Sequence, residues 1–143
     1  MAIAQGATNA FKLGLTNGTF DFNTDTFKIA LYTGAANIGA DTAAYTTTGE
    51  TSGTGYVAGG NALTVSVAPT FGAVPSNMTL YLSFDNVTWN PASFTARGAL
   101  IYKVGGGNPT VCVLDFGGDK TATTTFTVQF PTADSSNAII RIA

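Results

Sequence analysis

The sequence predicts an all-β chain: an antiparallel β-sandwich of jelly-roll-like form with a short N-terminal helix or arm. Three observations carry this expectation. From residue 27 onward apolar residues recur with a period of two, the alternation of strands with one buried face. Gly, Asn and Pro punctuate the chain between these runs, and after residue 16 no segment shows a helical period. A length of 143 residues suits one domain, which at this size buries roughly 70% of the surface that its unfolded chain exposes. Residues 1–143 are therefore read as one sandwich domain, with 1–20 as a helix or arm and 34–60 as a long loop.

Residues 3–16 hold the one helical pattern, with Ile3, Ala7, Ala10, Phe11 and Leu15 near one face and Gly6 and Gly14 weakening it. The period then changes. Phe27, Ile29 and Leu31 point one way while Lys28, Ala30 and Tyr32 point the other. Residues 34–60 are rich in Gly, Ala and Thr and nearly free of branched aliphatics, which predicts a loop that adds little to its own core and is ordered by a partner. Alternation returns in Leu63/Val65/Val67, in Met78/Leu80/Leu82/Phe84, in Thr124/Phe126/Val128/Phe130 and in Ala138/Ile140/Ile142. Residues 94–104 and 111–116 are apolar on both faces, as in the middle of a sheet covered on each side, and Gly105-Gly106-Gly107-Asn108-Pro109 joins them as a hairpin. The core expected from alternation is Phe27, Ile29, Leu31, Leu80, Leu82, Leu100, Leu114, Phe126, Val128 and Ile140.

Charged residues make up 10% of the chain, against about 25% in ordinary soluble domains, so the surface is poor in charge and suits a protein that lives in an assembly. The net charge is −2, and the six cations (Lys12, Lys28, Arg97, Lys103, Lys120 and Arg141) are scattered. Binding a phosphate backbone requires a concentrated basic face, so no nucleic-acid partner is expected. No apolar run approaches the ~18 residues of a membrane span, and the start Met1-Ala2-Ile3-Ala4-Gln5 lacks the basic segment of a signal peptide. A chain made in the cytoplasm, unprocessed and away from membranes is the expectation. The single cysteine, Cys112, lies in an apolar run and reads as a buried small hydrophobe.

Histidine is absent, which removes the commonest general base, the usual zinc ligand and any Ser-His or Cys-His nucleophile pair. The eight acids (Asp21, Asp25, Asp41, Glu50, Asp85, Asp115, Asp119 and Asp134) mostly stand beside Gly, Asn or Thr, where Asp normally forms turns by bonding its own backbone. Asp21-Phe22-Asn23-Thr24-Asp25 copies the first ligand positions of a calcium loop, but Thr26 replaces the obligatory Gly and Tyr32 replaces the bidentate Glu. Asp115-Phe116-Gly117 spells a kinase tripeptide without the other kinase motifs, and Gly53, Gly55, Gly59 and Gly60 lack dinucleotide spacing. The triplets beginning at Asn17, Asn77 and Asn86 match the glycosylation sequon, with no secretory context. No catalytic residue, cofactor or metal is expected. Aromatics are numerous, and alternation assigns most of them to the core. The candidates for partner contact are Trp89, expected half-buried at a strand end near the rim, together with Tyr45 and Tyr56.

Several strings, taken in order, resemble a known family. They are Asp21-Phe22-Asn23-Thr24-Asp25-Thr26-Phe27-Lys28-Ile29-Ala30-Leu31-Tyr32-Thr33, then Gly49-Glu50-Thr51-Ser52-Gly53-Thr54-Gly55-Tyr56, then Val87-Thr88-Trp89, then Phe94-Thr95-Ala96-Arg97-Gly98-Ala99, and finally Leu114-Asp115-Phe116-Gly117. Across nearly the whole chain this order resembles the capsid decoration (cement) proteins of tailed bacteriophages. The resemblance implies a β-rich virion protein on the capsid exterior that binds the major capsid protein, is made in the host bacterial cytoplasm and carries no catalytic residues. A homotrimer is what it implies for assembly, since decoration proteins often sit on local threefold positions. A head–tail connector or a tail or fibre component is the alternative of the same class. A carbohydrate-binding sandwich would need an exposed aromatic platform, and a carboxylate glycosidase would need paired acids about 5–10 Å apart in a cleft.

Overall fold

The structure, a computed structural model, describes residues 2–72 and 78–143. Asn77 of the second sequon lies outside the described residues. The elements in chain order are β1 (Gly6–Ala7), α1 (Asn9–Asn17), β2 (Phe27–Tyr32), β3 (Asn61–Leu63), β4 (Val65–Phe71), β5 (Leu80–Phe84), β6 (Val87–Trp89), β7 (Phe94–Lys103), β8 (Thr110–Ala122), β9 (Phe126–Val128) and β10 (Ile140–Ile142). Pairing among these strands is antiparallel throughout and divides them into three sheets. One has five strands in the order β1-β8-β7-β2-β3, one has three in the order β10-β5-β4, and the third pairs β6 with β9. The chain is thus largely β with one short helix, as the alternation predicts.

The hairpin joining β7 to β8 is the backbone of the fold, running from Phe94↔Ala122 at one end to Ile101↔Cys112 and Tyr102↔Thr110 at the other. Its turn closes where the glycine cluster predicts: the Gly105 N–H donates to Asn108 Oδ1 at 2.8 Å, and Asn108 takes the left-handed φ of 55° that Asn tolerates. β8 extends to Ala122, past the expected end at residue 116.

The helix differs from its expectation. Residues 3–8 are extended: Ile3 bridges Ile38, the Ala4 N–H donates to the Ile38 carbonyl at 2.9 Å, and Gly6 and Ala7 pair with Val113 and Cys112. Thr8 sets the true start. Its backbone is extended at φ −80° and ψ 159°, and its Oγ1 accepts the Phe11 N–H at 3.1 Å, an N-cap that holds the helix to Asn9 onward. Gly18, at φ 78°, ends it. Gly14 is buried because the Phe20 ring lies where a Cβ would stand.

The five-stranded sheet is covered on both faces. On one face Phe27, Ile29, Ile101 and Cys112 pack with Phe11 of α1, with Leu82 and Phe84 of β5, and with Trp89, Phe126 and Val128 of the two-stranded sheet. On the other, Ala30, Tyr32, Leu100, Tyr102 and Val113 form a second core under Ala36 and Ile38, with Ile3 and Tyr45 packed against it. The stretch 34–60 is therefore a cover over the sheet with its own buried residues, which differs from the expected loop that adds little to the core. Of the expected core, Phe27, Ile29, Leu31, Leu82, Leu100, Phe126, Val128 and Ile140 are buried, whereas Leu80 and Leu114 are half-buried. Both of these line open grooves beside α1.

Candidate functional site

Glu50 organises the cover. Its Oε1 accepts the Tyr56 hydroxyl and the Gly59 N–H, each at 2.7 Å, and its Oε2 accepts the Tyr45 hydroxyl at 2.7 Å. The Tyr56 hydroxyl also accepts the Leu31 N–H at 2.8 Å, which ties the cover to the edge of β2. Tyr45 stacks on Tyr102 with ring centroids 4.7 Å apart, and the Tyr102 hydroxyl donates to the Gly59 carbonyl at 2.7 Å. Tyr32 donates to the Thr46 carbonyl at 2.6 Å. Burial raises the hydroxyl pKa of all four tyrosines above the usual 10.0, and the Glu50 charge adds to the shift. Chain crossing demands glycine here: Gly60, at φ 74°, passes so close to the Ile29 carbonyl oxygen that a Cβ would run into it.

Tyr45 and Tyr56, expected as contact residues, are half-buried with their hydroxyls bonded to Glu50. Trp89, expected at the rim, is 2% exposed. Its ring lies 6.2 Å from Tyr56, 6.4 Å from Phe94 and 6.1 Å from Phe126, because pairing β6 with β9 turns the indole into the first core. Among the described residues the indole N–H has no hydrogen-bond partner.

Several acids do the local work predicted for them. Asp21 Oδ1 accepts the Asn23 N–H at 2.9 Å, Asp25 Oδ2 accepts the Asp21 N–H at 2.7 Å, and Asp25 pairs with Lys103 at 3.1 Å. Those bonds occupy the calcium-like string. Asp115 accepts the Gly117 N–H at 2.9 Å and pairs with Arg97 at 3.2 Å, and Asp134 accepts the Ser136 and Asn137 N–H groups. These hydrogen bonds hold the carboxyls of Asp21, Asp115 and Asp134 below the usual 3.8. Among the described residues no group of three or more His, Cys, Asp or Glu is placed to hold a metal ion, and no helix is long and apolar enough to cross a membrane.

The open site lies elsewhere. An apolar groove of about 480 Å³ is lined by the N-terminal arm, α1, β8 and β10, with Phe11, Leu15, Val111, Cys112, Ile140 and Ile142 among its apolar residues. Its polar lining comes from Gln5, Lys12, Thr16 and Arg141, with no Asp or Glu. A second groove of about 430 Å³ shares Phe11, Leu15 and Ile142 with the first and adds Phe20, Leu80 and Leu82. Leu15 is 44% exposed, Ile142 40% and Leu13 65%, so the arm end of the molecule carries uncovered apolar surface. Burial pushes the Cys112 thiol up to about 12. Sequence reasoning missed this groove because Lys12 and Arg141 stand at opposite ends of the chain. It also missed Glu50, whose one signal was being the single glutamate, set between Tyr45 and Tyr56.

Compared with protein-family models, with curated proteins and with solved structures, the chain matches none.

Proposed function

We propose that the chain is a virion structural protein that binds the outer surface of a phage capsid and cements neighbouring capsomers without catalysis. The observation that carries this reading is the uncovered apolar surface at Leu15 and Ile142, which line the groove beside α1, on a chain with few charges. Apolar surface of this kind is what a contact protein presents to a partner. The carboxylates of Asp21, Asp25, Asp115 and Asp134, and that of Glu50, are held in structural hydrogen bonds, which favours a binding role over a chemical one. The three sheets act together as a jelly-roll-like sandwich that presents the arm and α1. The partner is the major capsid protein, the place of action is the capsid exterior, and the working form is a homotrimer. A protein that binds only the expanded lattice stabilises it by linkage, and many weak contacts become firm through multivalency.

The test mixes the purified protein with expanded and unexpanded phage capsids and follows co-sedimentation and shell melting, with light scattering on the free protein. Saturable binding to expanded shells, a raised shell melting temperature and a trimer in solution are expected. Absence from intact virions would overturn the reading, and density on the tail alone would replace it with the tail-component alternative.

A further inference from the structure

We infer that the groove between the N-terminal arm, α1 and β10 is a docking site for an extended protein segment with alternating apolar side chains and a carboxylate directed at Lys12 and Arg141. The inference deepens the reading of the chain as a contact protein and rests on it for the partner being a protein.

Charge selects part of the ligand. The chain carries more acids than cations, yet the only charged residues lining the groove are Lys12 and Arg141. The Lys12 ammonium has no ion-pair partner among the described residues. Arg141 donates through Nη1 to the Ser136 carbonyl at 2.7 Å, which leaves other guanidinium donors for a ligand. An apolar floor with two cations and no anion at its rim complements an apolar ligand that carries negative charge.

Backbone chemistry selects the rest. Of the three strands that line the groove, β8 is interior, whereas β1 ends the five-stranded sheet and β10 ends the three-stranded one. The outer side of the arm is partly taken by residues 38–40, where the Asn9 N–H donates to the Ala40 carbonyl at 2.7 Å, so the edge open to an added strand is that of β10, whose other side pairs with β5. Edge strands offer unpaired amides and carbonyls to an added strand, a recognition that an extended peptide satisfies and a hydrocarbon amphiphile does not.

The probe is a blocked peptide of alternating valine and threonine with an aspartate at each end, compared with its lysine-ended counterpart and with decanoate. Calorimetry measures binding of each probe. The aspartate peptide is expected to bind, the lysine peptide to bind about fivefold more weakly or worse, and the double variant Lys12→Glu, Arg141→Glu to reverse that preference. Both residues are exposed, so the variant retains its fold, which circular dichroism checks. Equal binding of the two peptides, binding of decanoate alone, or no binding of any probe overturns the inference. Capsid binding is measured in parallel: capsid binding that survives the double variant removes the groove and leaves the capsid reading, and peptide binding without capsid binding does the reverse.

Discussion

Glu50 and Trp89 are two residues whose side chains the fold treats in opposite ways. Glu50 accepts three hydrogen bonds and joins two tyrosines and the Gly59 backbone into one unit. Replacing it with Ala leaves those donors without their acceptor, so Glu50→Ala is expected to cost about 2–4 kcal/mol in denaturant unfolding. Glu50→Gln keeps the shape and an acceptor and is expected to cost about 1 kcal/mol. Equal losses would show that the cover is held by packing alone. Trp89 fills space, and among the described residues nothing accepts its N–H. Trp89→Ala is expected to cost about 3–5 kcal/mol through the cavity it leaves, whereas Trp89→Phe keeps most of the ring contacts, discards an unpartnered N–H and is expected to cost about 1–2 kcal/mol. Circular dichroism serves as the probe, since both variants lose the only tryptophan. A phenylalanine loss as large as the alanine loss would contradict the unpartnered N–H.

At the scale of elements, Thr8 joins two structures at once. Its Oγ1 caps α1 and contacts the Thr110 and Val111 carbonyls at 3.0 and 3.3 Å, inside a site with no exposure. Thr8→Ala is expected to cost about 2 kcal/mol, while Thr8→Ser, which retains the oxygen, is expected to cost well under half of that; thermal unfolding separates the two. Thr8 also explains where the sequence was legible and where it was not. The β7–β8 hairpin was legible because its turn chemistry and its two apolar faces are local signals. Residues 3–7 carry helical spacing, yet they run extended because Ile38 and Val113 supply partners from far along the chain, and nothing local announces that. The cover was illegible for a related reason: Ala36, Ile38 and Tyr45 follow no period, and their burial depends on the outer face of β2 and β7. β6 has three residues, too few to show alternation, so the inward turn of Trp89 could not be read. The groove had no sequence signature, because its floor and its two cations come from both ends of the chain.

For the molecule as a whole, the ionisable groups define the pH range in which both cores stand. Asp21, Asp115 and Asp134 have carboxyl pKa values held below the usual 3.8 by hydrogen bonds, so their contribution is present above that value and fades as pH falls through the lower folded values. Asp21 is exposed and Asp115 and Asp134 are only half-buried, so the acid limb is expected to be shallow. The alkaline limb is different. Tyr32, Tyr45, Tyr56 and Tyr102 have folded pKa values raised above 10.0 by burial first and by Glu50 second. Above pH 10 the unfolded chain releases protons that the folded chain keeps, so stability is full below that pH and declines as pH rises toward the folded values. Tyr32 and Tyr102 belong to the second core, and Tyr45 packs against it, so the cover over residues 34–60 is expected to open before the first core. Following the tyrosinate absorbance and circular dichroism together across an alkaline titration tests this. Most of the tyrosinate should appear in one cooperative step together with loss of structure, and in Glu50→Gln that step should move to lower pH because the cover is weaker. Gradual ionisation of all the tyrosines near pH 10 with the sheet signal intact would mean that the hydroxyls are not enclosed, and the cover would then be a loop lying on the sheet.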